Sequence, residues 1–85
     1  MPAISRFHGV TVYMYYRDHH PAHFHVRYQE YEITIEIESG LVKGTMPLRI
    51  LKLIFAWKET YQKELRENWS RALEGKSLVM IPPPG

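Results

Sequence analysis

One stretch of this 85-residue chain decides its fold, Ala22-His23-Phe24-His25-Val26-Arg27-Tyr28-Gln29-Glu30-Tyr31-Glu32-Ile33-Thr34-Ile35-Glu36-Ile37. Apolar and polar side chains alternate on both sides of Gln29-Glu30, as they do in two half-buried strands. A hairpin that turns at these two residues places Val26 opposite Ile33 on one face and His25 opposite Thr34 on the other. Every pair across the hairpin then matches in polarity, which selects this register over its neighbours. The sequence therefore predicts an antiparallel hairpin with one apolar and one polar face.

A further strand is predicted ahead of the hairpin. Residues 10–16 alternate in the same way and are rich in valine and tyrosine, which favour strands. A turn over residues 17–21 joins this strand to the hairpin, with Asp18 as its side-chain cap and Pro21 blocking continuation of the strand. The polar face of the predicted sheet carries Thr11, Tyr13, Tyr15, His23, His25, Arg27, Glu32, Thr34 and Glu36.

The second half of the chain predicts helix. Apolar residues recur there every three or four positions and form one stripe: Ile50, Ile54, Trp57, Tyr61, Leu65, Trp69 and Ala72. Pro47 fits the first helical position and Gly75 marks the end. A straight helix of this span would be about 40 Å long at the usual rise, which is large for so small a domain. We therefore expect a kink or break near Tyr61-Gln62.

These elements predict one α+β domain over residues 1–85, with residues 1–46 mainly in strands and 47–75 helical. Residues 41–46 can add a short strand, and residues 76–85 are predicted as a short edge strand at Leu78 to Ile81 followed by a Pro-rich tail. The small antiparallel sheet has three to five strands. A long kinked helix or two C-terminal helices cover its apolar face. The polar face is then open for another role.

The composition excludes several classes of protein. The chain has no cysteine, so it has neither disulfides nor thiolate metal sites. The apolar stretch from Leu48 to Trp57 is interrupted by Arg49 and Lys52, so it does not predict a membrane span. The first residues lack the apolar region of a signal peptide, and a cytoplasmic location is expected. The net charge of +2 is modest, and the basic residues are concentrated mildly in the second half.

Four of the five histidines fall within residues 19–25. His23 and His25 are two apart on a predicted strand, so they point the same way. Two imidazoles on one face can bind one metal ion, with Glu36 across the ladder, or His19 or His20 in the turn, as a third ligand. Zinc or a similar divalent metal would suit this set of nitrogen and oxygen ligands. No other cofactor is predicted.

A second interpretation needs no metal. His23 and His25 could act as general base and general acid while Arg27 stabilises a phosphate. Tyr13 or Tyr15 could hold a base by stacking, as a small metal-independent ribonuclease requires. A third interpretation is a non-catalytic module whose exposed sheet face binds a partner protein or a second copy of the chain. The simplest alternative is a solvated sheet face in which the histidines pair with Glu36 and Thr34.

Several segments together resemble a known family of short bacterial proteins, the domain of unknown function family 4160. They are Pro2 to Gly9, Tyr13 to Tyr16, Asp18 to Val26, Glu36 to Gly40, and Trp57 with Glu67-Asn68-Trp69. The family commonly has glycine in the hairpin turn where this chain has Gln29. The resemblance implies a free-standing bacterial protein that often lies beside a second small protein, in an arrangement like a toxin–antitoxin pair. It implies no catalytic residues.

The sequence thus predicts a component of a toxin–antitoxin-like module that acts on or binds RNA through a face of histidine, arginine and tyrosine. The expected partners are a small protein encoded nearby and RNA, with no membrane. The alternatives are a protein-interaction module and a histidine metal-binding protein. Whether the protein is an enzyme is left open.

Overall fold

The computed structural model describes residues 2–84, which form five strands followed by two helices. The strands are β1 (Ala3–Phe7), β2 (Val10–Tyr13), β3 (His23–Tyr28), β4 (Tyr31–Glu36) and β5 (Val42–Lys43). The helices are α1 (Leu48–Thr60) and α2 (Gln62–Leu73). All five strands pair antiparallel in chain order to form one sheet. The predicted α+β class is confirmed, with the largest number of strands that was expected.

The β3–β4 hairpin has the predicted register at every position. His25 lies opposite Thr34, Val26 opposite Ile33, and the hairpin closes at the pair formed by Tyr28 and Tyr31. The polarity match across the two strands was therefore sufficient to fix the pairing. The turn is unusual because Gln29 adopts a φ of 54°, in the left-handed region that favours glycine.

The strand β1 was not predicted as a separate element. It pairs with β2 through a tight turn at His8 and Gly9, whose φ angles are 49° and 79°. The strand β2 is shorter than predicted, because it ends at Tyr13 rather than Tyr16. Beyond it the chain leaves the sheet for the end of α2, where the Arg17 N–H donates to the Ala72 carbonyl at 3.1 Å.

The core lies between the apolar face of the sheet and one side of the two helices. Phe24, Val26 and Ile35 from the hairpin are fully buried in one cluster with Ile54 and Trp57 of α1. Each such side chain contributes roughly 1.5–3 kcal/mol by leaving water. This packing commits one face of the hairpin to the core and leaves its other face for a site.

The predicted break between the helices is confirmed. Tyr61 separates α1 from α2 with φ −113° and ψ 30°, and its N–H still donates to the Trp57 carbonyl at 3.0 Å. Pro47 lies at the N-cap of α1, one position before the predicted one, and Gly75 follows the end of α2 with a φ of 72°. Within residues 2–84, neither helix is long and apolar enough to cross a membrane.

The predicted edge strand at Leu78 to Ile81 is wrong, because no strand follows α2 in the part of the chain that the structure describes. The Asn68 side chain instead bonds to both backbone groups of Val79. Its Nδ2 donates to the Val79 carbonyl and its Oδ1 accepts from the Val79 N–H, at 2.8 Å each. The Ile81 N–H donates to the Ile4 carbonyl of β1 at 2.7 Å. A ladder cannot continue from there, because Pro82 and the prolines after it have no N–H.

We predict that Gln29→Gly raises the free energy of unfolding by about 0.5–1 kcal/mol. The left-handed conformation costs an L-residue about 1–2 kcal/mol, and the greater flexibility of glycine when unfolded offsets about half of the gain. Glu30→Gly is the matched control. Glu30 is not among the positive-φ residues of the described chain, so glycine relieves no strain there and this variant should be less stable than the wild type. Urea denaturation of both variants measures the difference. Equal destabilisation by the two glycines would contradict the prediction.

Candidate functional site

The two histidines of β3 converge on an aspartate from the preceding loop. The Nε2 atoms of His23 and His25 lie 2.9 and 3.2 Å from the same oxygen, Oδ2 of Asp18. One ligating atom from each of the three residues lies within 4.8 Å of the other two. We call this set the Asp18–His23–His25 cluster. It stands on the polar face of the sheet, as predicted for the histidines.

Backbone hydrogen bonds hold both ends of the loop that carries Asp18. At its start Arg17 bonds to the end of α2, and at its far end the Ala22 carbonyl accepts from the Ile37 N–H at 3.0 Å. Asp18 also caps the loop as predicted, since its Oδ1 accepts from the His19 N–H at 2.8 Å. The carboxylate is therefore positioned by the fold as well as by the histidines.

His23 is fixed in one orientation. Its side chain is buried, and its ring packs against Trp69 with 5.3 Å between ring centroids. Its Nδ1 lies 2.8 Å from the Pro21 carbonyl oxygen, which can only accept, so Nδ1 carries the hydrogen of this bond. The other nitrogen, Nε2, is thereby directed at Asp18.

His25 is held between two tyrosines. Its ring stacks on Tyr13 at 5.1 Å and 15°, and Tyr15 meets it nearly at a right angle at 4.7 Å. Tyr13 is fully buried, and its hydroxyl donates to the Glu32 carboxylate. Burial and that hydrogen bond raise the pKa of Tyr13 far above its ordinary value. The expectation that Tyr13 lies on a wet face is therefore wrong: its ring face is covered by His25.

Asp18 is the charged centre of the cluster. Its side chain is only 15% exposed, and this partial burial acts to raise its pKa. Hydrogen bonds from His25 and from the His19 N–H, together with the charge of His23, outweigh burial and hold the pKa below its ordinary value. Asp18 is consequently a carboxylate, with full negative charge, at neutral pH.

A cleft of about 230 Å³ opens beside the cluster. Its walls are His19, Pro21, His23, His25, Thr34, Glu36 and Lys43. A second cleft of about 370 Å³ adjoins it, lined by Tyr13, Tyr15, His25, Glu32, Ile33, Thr34 and Lys43. The two clefts share His25, Thr34 and Lys43, so one member of the cluster, His25, stands on the wall between them. Lys43 was not predicted as a site residue.

A comparison with protein families identifies the chain. The family described as "Domain of unknown function (DUF4160)" matches residues 9–70, which include the whole cluster, both clefts and most of the helical region. The chain belongs to this family. No curated protein matches the chain, and no solved structure does. The resemblance predicted from the sequence is thus confirmed, and the description of DUF4160 assigns no activity to the cluster.

The structure separates the other predicted site residues of this DUF4160 member. Glu36 lines the first cleft, but its Oε1 accepts from the Ser39 hydroxyl at 2.6 Å and it is outside the cluster. The His20 ring contacts Trp69 at 5.6 Å, away from the cluster. Of the predicted metal set of His23, His25, Glu36 and His20, only the first two residues converge.

Arg27 lies apart from both clefts of the DUF4160 site. It pairs with Glu32 at 3.4 Å, and the same carboxylate oxygen accepts from the Tyr13 hydroxyl. His19, by contrast, contacts Asp18 directly, with 2.9 Å between its Nδ1 and the carboxylate oxygen Oδ1. The predicted combination of His23 and His25 with Arg27 therefore does not meet around one point.

We predict that Asp18→Asn lowers the free energy of unfolding by about 1.5–3 kcal/mol at pH 6, the range for hydrogen bonds to a charged group. Because the folded pKa of Asp18 is depressed, its stabilisation is complete above its ordinary value of 3.8 and is lost as the pH falls through the lower folded value. The loss should therefore shrink near pH 2. Urea denaturation in chelator measures it, with Glu36→Gln as control. An equal loss at both pH values would show that charge is not the cause.

Proposed function

We propose that this protein binds one divalent metal ion through Asp18, His23 and His25. The observation that supports this most directly is the convergence of two imidazole Nε2 atoms on one carboxylate oxygen, at 2.9 and 3.2 Å. Two ligands of a tetrahedral ion with bonds of about 2.0–2.2 Å lie roughly 3.3–3.6 Å apart. Both N···O separations are therefore within a few tenths of an ångström of those between ligands of one ion.

The hydrogens on the two Nε2 atoms determine whether the cluster can take a metal ion. If both Nε2 atoms carry hydrogen, then His23, whose Nδ1 already donates to Pro21, is a cation. His25, with its hydrogen on Nε2, can stay neutral, so one cationic and one neutral ring, 5.1 Å apart between centroids, would share a single carboxylate oxygen. If the Nε2 atoms carry no hydrogen, their lone pairs face the carboxylate without a donor. In this second arrangement a divalent ion would satisfy all three groups at once.

The surroundings of His23 also fit a metal ligand. Metal-bound imidazoles usually donate their second N–H to a carbonyl or carboxylate, which fixes the ring and its tautomer. The bond from Nδ1 to the Pro21 carbonyl has this form. By comparison, a general acid and base need their free nitrogens aimed at a substrate. The Nε2 atoms of both histidines are aimed at Asp18 instead.

The donor set indicates the kind of metal and its use. Two imidazoles and one carboxylate suit zinc and the related divalent ions, since thiolates are absent. Three protein ligands leave positions for water or a ligand, and the first cleft provides the space beside them. A metal ion there would polarise an oxygen of that ligand and lower the pKa of bound water.

We predict that chelator-treated, tag-free protein binds one zinc or cobalt(II) ion per chain. Free metal at 100 times the Kd should stabilise it by about 2.7 kcal/mol. Asp18→Asn, His23→Gln and His25→Gln should each weaken binding by roughly 100-fold or more, beyond the 10–100-fold typical of outer partners. His20→Gln is the matched control, because it removes a histidine outside the cluster. Calorimetry and the visible spectrum of cobalt report binding. Wild-type affinity in the three cluster variants would contradict the proposal.

The second candidate function is action on RNA within a toxin–antitoxin-like module, with a small partner protein. What favours it is the tyrosine pair against His25, beside a lysine on the wall of the same clefts. We predict that any cleavage of single-stranded RNA by the purified protein stops in chelator and in His25→Gln. Arg27→Gln should cleave normally, because Arg27 itself lines neither cleft and its charge is paired with Glu32. Cleavage that persists in chelator and is lost in Arg27→Gln would instead support the metal-independent ribonuclease.

A further inference from the structure

One row of side chains crosses the polar face of the sheet from β2 to β5. Tyr13 lies opposite His25, His25 opposite Thr34, and Thr34 opposite Lys43. Residues paired in this way are about 4.5–5.5 Å apart between Cα atoms. The Lys43 backbone is thus two such steps from His25, a distance that an extended lysine side chain partly spans.

Lys43 is held in this row by the residue after it. Gly44 has a φ of 111°, and a Cβ there would lie 2.8 Å from the Glu32 carbonyl oxygen. Only glycine allows the chain to approach β4 so closely, and this approach keeps the short strand β5 on the sheet. The position of Lys43 beside the cluster is therefore fixed by the backbone.

The ammonium group of Lys43 has no partner among the described residues. Neither an ion pair nor a side-chain hydrogen bond involves it within residues 2–84. In the adjoining part of the sheet, the Arg27 charge is compensated by Glu32. The wall between the two clefts consequently presents an uncompensated positive charge next to the cluster.

The two clefts differ in chemistry. The first is lined by His23 and His25 of the cluster, by Glu36 and by Lys43. With a divalent ion in place, the carboxylates of Asp18 and Glu36 balance the two metal charges and Lys43 adds one positive charge, so this cleft suits an anion. The second cleft is lined by Tyr13 and Tyr15, and the Tyr15 side chain is 42% exposed. Aromatic side chains of this kind stack nucleobases without selecting a sequence.

We infer that the two clefts form one groove for a nucleotide, with its phosphate between the metal and Lys43 and its base against Tyr15. This inference rests on the proposed metal centre. It replaces Arg27, which the sequence suggested as the phosphate ligand, with Lys43. Lysine binds phosphate as a compact point charge and does not need the paired geometry of arginine. Thr34, between His25 and Lys43, offers a hydroxyl to the same phosphate.

The test uses zinc-loaded full-length protein with two probes, inorganic phosphate and adenosine 5′-monophosphate, followed by calorimetry. Wild type should bind the nucleotide more tightly than phosphate. Lys43→Gln should weaken both probes about tenfold, by removing one charged contact, while zinc affinity stays unchanged. Tyr15→Leu should weaken the nucleotide about tenfold, as expected for a lost stacking platform, and leave phosphate binding as it was. Lys52→Gln, an exposed lysine of α1 outside both clefts, is the matched control and should bind like wild type.

The outcomes separate the groove from the metal centre. Unchanged nucleotide affinity in Lys43→Gln would overturn the inference, and so would a Tyr15→Leu variant that loses both probes equally. Zinc affinity is measured for every variant, so a general disturbance of the cluster is detected. Nucleotide binding that needs Lys43 and Tyr15 but is equally tight in chelator would overturn the placement of the phosphate against the metal, while the zinc affinity tests the metal centre by itself. Zinc binding without affinity for either probe would support the metal centre and count against the groove.

Discussion

The register of the β3–β4 hairpin is the constraint on which the rest of this structure depends. Because side chains alternate along a strand, Phe24 and Val26 enter the core while His23 and His25 face the other way. A slip by one residue would exchange the two sets and bury imidazoles among apolar side chains. The core packing therefore enforces the orientation of the site. The energy that holds the histidines in place comes from the opposite face of their own strand.

The carboxylate of the cluster depends on a different part of the fold. Asp18 lies in a loop whose start is bonded to the end of α2 and whose far end is bonded to Ile37 beyond β4. His23 also packs on Trp69, a residue of α2. The helix that closes the core thus also positions the loop and one imidazole. Loss of α2 packing should disturb the cluster before it disturbs the hairpin.

The sequence predicts what depends on local periodicity and fails where distant groups compete. Matching polarity fixed the hairpin pairs, and the apolar stripe with its length predicted the break at Tyr61. The edge strand predicted after α2 does not form, because the side chain of Asn68, distant in sequence, takes both hydrogen bonds of the Val79 backbone. No periodic signal reveals such a side-chain contact.

The candidate site was predicted only in part, because its local pattern was visible in the sequence and its contacts with distant groups were not. His23 and His25 share a face by strand geometry alone, so their proximity followed from the pattern. Asp18 was recognised only as a cap, because its second role requires knowing how the loop folds back over β3. Lys43 is placed by the pairing of a two-residue strand, which is too short for any alternation to show. Its importance emerges only when β5 is seen beside β4.

The polar face is divided between two kinds of electrostatic arrangement. At one end Tyr13, Arg27 and Glu32 satisfy one another, so their charges are compensated and their hydrogen-bonding groups are used. At the other end two imidazoles face one carboxylate oxygen, and Lys43 has no partner among the described residues. Within residues 2–84, this second end places a lysine without a partner beside a group of residues that could hold a metal ion, and this asymmetry is the reason to seek function there.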